Sequence, residues 1–158
     1  MKINYKHIRI MRRSMGMNQE QLGAALGFNG ENVRKTINRW ESGTREPRAE
    51  SLKKLIELYV KNCAKKAIEI VEKKQPTEVN LTSYSSQEDY IKLTGYEFPI
   101  ELHNAVNNYV AQILNKNKIR VIFTEVSEKD YFDWLIKKEL PNSPEARALF
   151  VASFNKFI

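Results

Sequence analysis

The sequence of 158 residues predicts a mainly α-helical chain whose C-terminal part is a small α+β domain. In the first half, apolar residues recur at spacings of three and four, as they do on the buried face of a helix. Residues 78–84 alternate between apolar and polar, and residues 118–126 are rich in β-branched side chains, so both segments are predicted strands. A proline-containing segment at 75–77 separates the two parts. We therefore predict two domains, residues 1–74 and residues 77–158.

The second predicted helix begins at Asn18 and ends near Gly27, and it follows a first helix over residues 5–15. Asn18 is followed three residues later by Gln21, which is the pattern of a capping box. Glycine is common just after a helix because it adopts the left-handed conformation without strain. Gly23 leaves room on this helix for another helix to cross closely. The predicted buried face consists of Leu22, Ala25 and Leu26.

A turn around residues 28–30 leads into a third predicted helix, which ends at Gly43. The apolar residues expected to face inward are Val33, Ile37 and Trp40. The polar residues between them then face outward. Arg and Lys can bond both acceptors of guanine in the major groove, and Asn can pair with adenine. The predicted base-contacting residues are Arg34, Lys35, Asn38 and Arg39.

Positive residues also flank the end of the third helix, where Arg45 and Arg48 are placed to contact phosphates. A small helical bundle with a solvated basic face would also show such residues. Here, however, the basic side chains lie opposite an apolar face and follow a capped helix, and this placement favours nucleic-acid binding. Two helices joined by a turn in this way form a helix-turn-helix unit.

Charge is distributed unevenly along the chain. Residues 1–75 contain 17 Lys and Arg against 8 Asp and Glu, a net charge of +9, whereas residues 76–158 contain 9 against 11, a net charge of −2. A basic first half joined to a slightly acidic second half is typical of a nucleic-acid-binding domain linked to a protein-interaction domain.

Several classes of protein find no support in the sequence. No apolar run reaches the roughly 18 residues of a membrane span, and the N-terminus has no signal-peptide pattern. The single cysteine, Cys63, cannot form an internal disulfide, so we expect a cytoplasmic protein without a membrane partner. Catalytic and metal-binding motifs are missing, and the two histidines, His7 and His103, lie in different halves. We predict no enzymatic activity, no cofactor and no metal site.

Residues 8–58 resemble the helix-turn-helix family of lambda repressor and Cro, also called the XRE family. The resemblance rests on Arg12, Asn18-Gln19, Leu22-Gly23, Leu26-Gly27, Trp40-Glu41-Ser42-Gly43 and Pro47. It implies a lambda-repressor-like bundle of helices that binds DNA.

The resemblance also implies roles for individual residues. The residue at Gln19 and the helix start at Asn18 would contact phosphate, and Arg12 and Glu41 would form a structural ion pair. The base-facing positions of the family fall on Arg34, Lys35 and Arg39. The chain departs from the family at residues 29–32, an insertion of about four residues before the recognition helix. This insertion can change where the recognition helix begins or how it is tilted.

The second half is expected to combine helices with the two strands. A long helix from Glu50 to Lys74 leads into it, with a stripe of apolar residues that includes Leu55, Ile70 and Val71. A sheet of two strands is marginally stable alone, so a sheet or interface shared by two copies is expected.

A second resemblance extends to about residue 114 and is to YdiL-like regulators, which include the anti-CRISPR-associated repressors. It rests on the segment 40–43 followed by a long helix, a short strand, a short helix and an amphipathic helix. It implies an autoregulatory repressor that dimerises through its C-terminal domain, and some relatives also bind their own messenger RNA. We recognise no resemblance in residues 116–158.

Together these observations predict a homodimeric repressor that binds an inverted repeat in a double-stranded DNA operator upstream of its own gene. Two alternatives remain open. An antitoxin-like protein would bind a cognate protein partner through the C-terminal domain and regulate its operon through the N-terminal domain. An RNA-binding regulator would use the same basic face on RNA.

Overall fold

The structure is a computed structural model that describes residues 2–154, apart from the side chain of Ala148. Its described part is mostly helical with one small parallel sheet, which confirms the predicted fold class. The chain consists of two compact units, Met1–Cys63 and Ala64–Ile158. The boundary between them lies within one long helix, Ala49–Lys74. The predicted domain limits at 74 and 77 stay a prediction, and residues 155–158 of the second domain lie outside the described residues.

The first unit is built from α1 (Tyr5–Ser14), α2 (Gln19–Ala25), α3 (Val33–Glu41) and the beginning of α4 (Ala49–Lys74). Local capping explains where α1 and α2 begin. Asn4 Oδ1 accepts a hydrogen bond from the amide of His7, and the amide of Asn4 donates to His7 Nδ1. Asn18 and Gln21 form the same reciprocal pair, at 2.8 Å in both directions, which confirms the predicted capping box.

Apolar side chains of all four helices form the core of the first unit. Those with no exposed surface are Met11, Leu22, Ile37 and Leu55. At Gly23, α2 meets α3 so closely that an added Cβ would overlap Cγ1 of Val33 and touch Ile37. The buried face of α2 is rotated toward this contact. The predicted burial of Ala25 is therefore wrong, because Ala25 lies on the exposed side of α2.

Helix α4 is continuous over 26 residues. Within the second unit it buries Ala64 and Val71 in a cluster with Val79 of the first strand and with Val110 and Leu114. The contact face of α4 there follows residues 64, 67, 68 and 71, at helical spacing. The predicted burial of Ile70 is wrong, because Ile70 falls on a neighbouring face and is 50% exposed.

The second unit continues with β1 (Glu78–Tyr84), α5 (Gln87–Thr94), α6 (Ile100–Lys116), β2 (Arg120–Val126), α7 (Glu128–Lys138) and α8 (Pro144–Phe154). The strand predicted from residue 118 begins two residues later. Lys118 adopts the left-handed conformation, with φ of 61°, and its amide donates to the carbonyl of Asn115, so this residue closes the helix instead of opening the strand.

The two strands pair in parallel, with Glu78 opposite Arg120 and Tyr84 opposite Val126. Parallel strands cannot be joined by a tight turn, and the segment with α5 and α6 supplies the crossover. After β2 in the chain, α7 packs against α8 through Tyr131 and Phe150, which are 1% and 0% exposed.

His103 on α6 is a packed residue of the second unit. Its Nε2 lies 2.8 Å from the carbonyl oxygen of Thr82, which also accepts from Asn107 Nδ2 at 2.8 Å. The rings of Tyr84 and Tyr90 lie 5.2 and 5.5 Å from the imidazole. Burial lowers the pKa of His103, and the hydrogen bond to the Thr82 carbonyl opposes this shift only in part.

Candidate nucleic-acid interface

Helix α3 has one apolar and one polar face. Ile37 and Trp40 are 0% and 4% exposed and fix the helix to the core. The predicted base-contacting side chains all lie on the exposed side of the helix; they are Arg34, Lys35, Asn38 and Arg39. The structure thus brings these four residues together on one accessible surface, and their contact with bases stays a prediction.

Glu41, the last residue of α3, is a buried carboxylate, with 1% of its surface exposed. Arg12 donates to both of its oxygens, from Nε to Oε1 at 2.6 Å and from Nη2 to Oε2 at 3.1 Å. Gln19 Nε2 donates to Oε2 at 3.0 Å, and Arg9 Nε lies 3.7 Å from the same oxygen. Arg12 also donates from Nη1 to the carbonyl of Met17 at 2.7 Å. These contacts join α1, α2 and α3 at one point.

The charge of Glu41 is compensated inside the first unit. Burial raises the pKa of a carboxyl group, but the hydrogen bonds from Arg12 and Gln19 and the charges of Arg12 and Arg9 outweigh it. The pKa of Glu41 is therefore below its usual value, and the ionised form is the stable one at neutral pH. The two-point contact with a planar guanidinium fixes direction as well as distance.

Gln19 is placed between the core and the exposed face of α3. Its side-chain amide donates to Glu41 and lies 3.4 Å from Oδ1 of Asn38, one of the predicted base-contacting residues. Gln19 therefore has a role inside the protein in addition to the phosphate contact that was predicted for it. The apolar and polar pattern of a single helix cannot predict this bridge, because Gln19 lies on α2 and Asn38 lies on α3.

Asn18 and Gln19 line a cleft together with Arg12, Glu20 and Arg34. The carbonyl oxygen of the Asn18 side chain is used in the cap of α2, whereas its NH₂ group takes no part in that cap. The cleft includes the first residues of α2, and the start of a helix carries a partial positive charge. The phosphate contact of Asn18 and Gln19 stays a prediction that this position supports.

Arg45 and Arg48 lie in a different part of the same unit. Both are exposed, and both line a second cleft with Trp40 and Phe28, whose rings meet edge to face at 5.5 Å. The cleft also contains acidic residues, among them Glu50. The two predicted phosphate-contacting pairs therefore line separate clefts.

Residues 29–32, the predicted insertion, form most of the turn between α2 and α3. Gly27 and Gly30 both have positive φ, 86° and 92°, so this turn uses glycine at two points where other residues are disfavoured. The amide of Val33 approaches the carbonyl of Gly30 at 3.4 Å, and α3 begins there without a side-chain cap. Residues 29–32 all lie before α3, and Ile37 and Trp40 on that helix are buried, whereas an insertion relative to the family stays a prediction.

Arg9 is a contributor that the sequence analysis missed. It is about half exposed, its Nη2 donates to the backbone carbonyl of Glu41 at 3.3 Å, and its Nε faces the carboxylate. A signal was present, because Arg9 and Arg12 are three residues apart and so lie on one face of α1.

Residues 2–154 contain no group of three or more His, Cys, Asp or Glu side chains that could hold a metal ion. Among the described helices, none is long and apolar enough to cross a membrane.

Residues 8–59 match the model of the family described as helix-turn-helix. The match covers about a third of the chain. The first unit therefore carries a helix-turn-helix domain of the lambda-repressor (XRE) type, the DNA-binding domain of transcription regulators. This match confirms the family resemblance predicted for residues 8–58. A comparison with curated proteins found no match to the chain.

Proposed function

We propose that the protein is a sequence-specific DNA-binding transcriptional repressor that acts as a homodimer on an inverted repeat. The observation that carries this proposal is the polar face of α3. Four side chains that can read bases are exposed on a helix whose opposite face is fixed in the core. A helix held in this way can enter the major groove without rearrangement of the domain.

Base reading is assigned to Arg34, Lys35, Asn38 and Arg39. Arginine and lysine at these positions would bond the O6 and N7 acceptors of guanine, and Asn38 would pair with adenine. Phosphate contact is assigned to Asn18, Gln19, Arg45 and Arg48, which would fix the register of the domain on the duplex. The net charge of the first half supplies the sequence-independent part of the affinity.

The Arg12–Glu41 pair has a supporting role in this proposal. It fixes the end of α3 to α1, so the base-reading face keeps one orientation relative to the start of α2. The polar bridge from Gln19 to Asn38 extends the same network to the exposed face of α3, which in this proposal faces the DNA.

Two copies would bind the two half-sites of the operator, about 34 Å apart or a multiple of that spacing. We assign DNA binding to residues 1–74 and dimerisation to residues 77–158. Occupation of a promoter would block polymerase, and an operator upstream of the protein's own gene would make the control autoregulatory. The protein would act in the cytoplasm, where that DNA is accessible.

The proposal is tested by fluorescence anisotropy with labelled DNA from upstream of the protein's own gene. Scrambled DNA of equal length is the control, and both are titrated across a salt series. We expect tighter binding to the upstream DNA and a steep loss of affinity with salt. Weak and equal binding to the two DNAs would contradict autoregulation, and labelled stem-loop RNA and protein pull-downs would then test the other two classes of partner.

A further inference from the structure

Helix α7 has a buried apolar face and, next to it, an exposed one. Tyr131 and Leu135 are 1% and 5% exposed and belong to the core of the second unit. Phe132 and Ile136, one residue further round the helix in each case, are 42% and 77% exposed. A large apolar side chain as accessible as Ile136, next to a second one a helical turn away, is the pattern of a contact surface.

The exposed side of α7 has the spacing of a short coiled-coil seam. Intervals of three, four and three residues separate Lys129, Phe132, Ile136 and Glu139. This is the spacing of the a and d positions of a heptad. The apolar pair lies in the middle, and a charge of opposite sign lies at each end. Lys129, Phe132 and Ile136 are on the exposed side of α7, and Glu139, which is also exposed, is the residue that caps its C-terminal end.

The order of charges selects both the occupant and its direction. In an antiparallel pair of helices, a positions share layers with d positions. A second copy of α7 would therefore place Phe132 against Ile136 of the second copy, and Lys129 against Glu139 of the second copy, each contact occurring twice. A parallel second copy would place Lys129 against Lys129 and Glu139 against Glu139, which is repulsive. The face is thus complementary to itself in one orientation, as a two-fold interface requires.

Glu139 is also notable for its backbone. It follows the end of α7 with φ of 54°, the left-handed conformation in which glycine is favoured. Leu140, 38% exposed, is a further exposed apolar residue directly after it.

We propose that two copies of this chain associate through the exposed faces of their α7 helices, packed antiparallel. Phe132 and Ile136 form the apolar centre, and Lys129 pairs with Glu139 of the second copy. This inference rests on the homodimer of the proposed function and identifies its surface.

The first test is the mass of the full chain in solution, measured by sedimentation velocity over a hundredfold range of concentration. We expect a dimer for the unaltered chain and a monomer for Ile136→Glu, with at least a hundredfold rise in the dissociation constant. Leu149→Glu is the matched control, because Leu149 is also an exposed apolar residue on a helix, 58% exposed, but lies on α8. It should remain a dimer. Circular dichroism checks that both variants keep their helix content.

The second test reverses the charges. Lys129→Glu places two carboxylates in each end layer and should weaken the dimer about tenfold at low salt, and Lys129→Glu with Glu139→Lys should restore it. A dimer that persists in Ile136→Glu, or a double variant no better than the single one, would overturn the proposed surface.

Binding to operator DNA is measured on the same samples, so that the two proposals can fail separately. If Ile136→Glu remains a dimer and still prefers the upstream DNA, the α7 surface is wrong and the repressor function stands. If the unaltered chain is a monomer at all concentrations and shows no preference for the upstream DNA, both are wrong. A monomeric Ile136→Glu that loses most of its affinity for the full operator supports both.

Discussion

Replacement of Arg12 by alanine tests whether the buried carboxylate of Glu41 holds the DNA-binding unit together. In the structure, Arg12 is 13% exposed and Glu41 is 1% exposed. The change removes two hydrogen bonds to the carboxylate and one to the carbonyl of Met17. What remains around Glu41 is the hydrogen bond from Gln19 and the more distant charge of Arg9.

The expected loss follows from the charge that is left behind. Removing one partner of a buried ion pair costs about 3–5 kcal/mol, whereas an exposed pair contributes about 0–1 kcal/mol. Because Gln19 and Arg9 still compensate part of the charge, we expect the lower end, about 3 kcal/mol of the free energy of unfolding.

The assay is urea unfolding followed by tryptophan fluorescence. The sequence has two tryptophans, so Trp134→Phe leaves Trp40, buried in the first unit, as the reporter. Arg13→Ala in the same background is the matched control, because Arg13 is an exposed arginine on the same helix. It should change the free energy of unfolding by less than about 0.5 kcal/mol. Equal values for Arg12→Ala and Arg13→Ala would refute the reasoning.

The pH dependence gives an independent check on the cause. The folded-state pKa of Glu41 is lowered, so its contribution to stability is present above the unfolded pKa and is lost as the pH falls through the folded pKa. A protonated Glu41 needs no cation. The difference between Arg12→Ala and the unaltered chain should therefore shrink below about pH 4.5. If the difference in free energy of unfolding stayed constant below that pH, the loss of stability in Arg12→Ala would not come from the charge of Glu41.

Four further expectations can be measured with the same preparations. Gly23→Ala should lower the free energy of unfolding by about 1–2 kcal/mol, because the overlap with Val33 exceeds the gain in helix propensity, and Val33→Ala in the same chain should recover part of it. Arg39→Ala should weaken binding to the operator by about 1–3 kcal/mol, with little effect on scrambled DNA. Arg45→Ala should weaken binding to both DNAs, and its log–log salt slope should fall by about one. A histidine whose pKa is lowered in the folded state destabilises the fold as the pH falls through its unfolded pKa of about 6.5, by at most about 1.4 kcal/mol per pH unit. His103→Gln removes this effect, so the variant should lose less stability between pH 7 and pH 5 than the unaltered chain.

Each of these four has an outcome that contradicts it. An unchanged melting curve for Gly23→Ala would mean that α2 and α3 separate without cost. Equal losses on operator and scrambled DNA would remove Arg39 from base reading, and an unchanged salt slope would remove Arg45 from the phosphate contacts. A His103→Gln variant that loses stability with acid as steeply as the unaltered chain would show that other groups titrate there.

Local patterns predicted the parts of the fold that depend on neighbours in sequence. The capping box of Asn18 and Gln21 and the strand at 78–84 could both be predicted from a few consecutive residues. So was the need for a small residue at Gly23, because a glycine inside an otherwise strong helix usually has a packing reason.

The parts that failed depend on which elements pack together. Ala25 and Ile70 both fit an apolar stripe, but the crossing of α3 at Gly23 and the cluster of Ala64 with Val71 decide which face is covered. The parallel pairing of β1 and β2 joins residues about 40 positions apart, and no window of the sequence contains both strands. The spacing of Arg9 and Arg12 puts both on one face of α1, but only the packing of α1 against α3 brings that face to the carboxylate of Glu41.

Gln19 is the residue for which sequence and structure lead to different experiments. The family resemblance gives it a phosphate contact, whereas the structure shows it bridging the buried Glu41 and the exposed Asn38. A hydrogen bond to a charged group contributes about 1.5–3 kcal/mol, so Gln19→Ala should lower the free energy of unfolding by about 1.5 kcal/mol even without DNA. An exposed glutamine that contacts only phosphate would leave stability unchanged.

The effect on DNA binding separates the two roles further. If Gln19 positions Asn38, then Gln19→Ala, Asn38→Ala and the double variant should be coupled by at least about 0.5 kcal/mol in operator binding. If Asn38 pairs with an adenine of the operator, the coupling should be lost when that base pair is changed and should also be absent on scrambled DNA. Additive losses on operator, with the same loss from Gln19→Ala on scrambled DNA, would instead assign Gln19 to the phosphate backbone alone. Because glutamine is uncharged, Gln19→Ala should leave the salt dependence of binding unchanged whichever role is correct. The double-mutant cycle therefore distinguishes the two roles of Gln19, and the salt dependence does not.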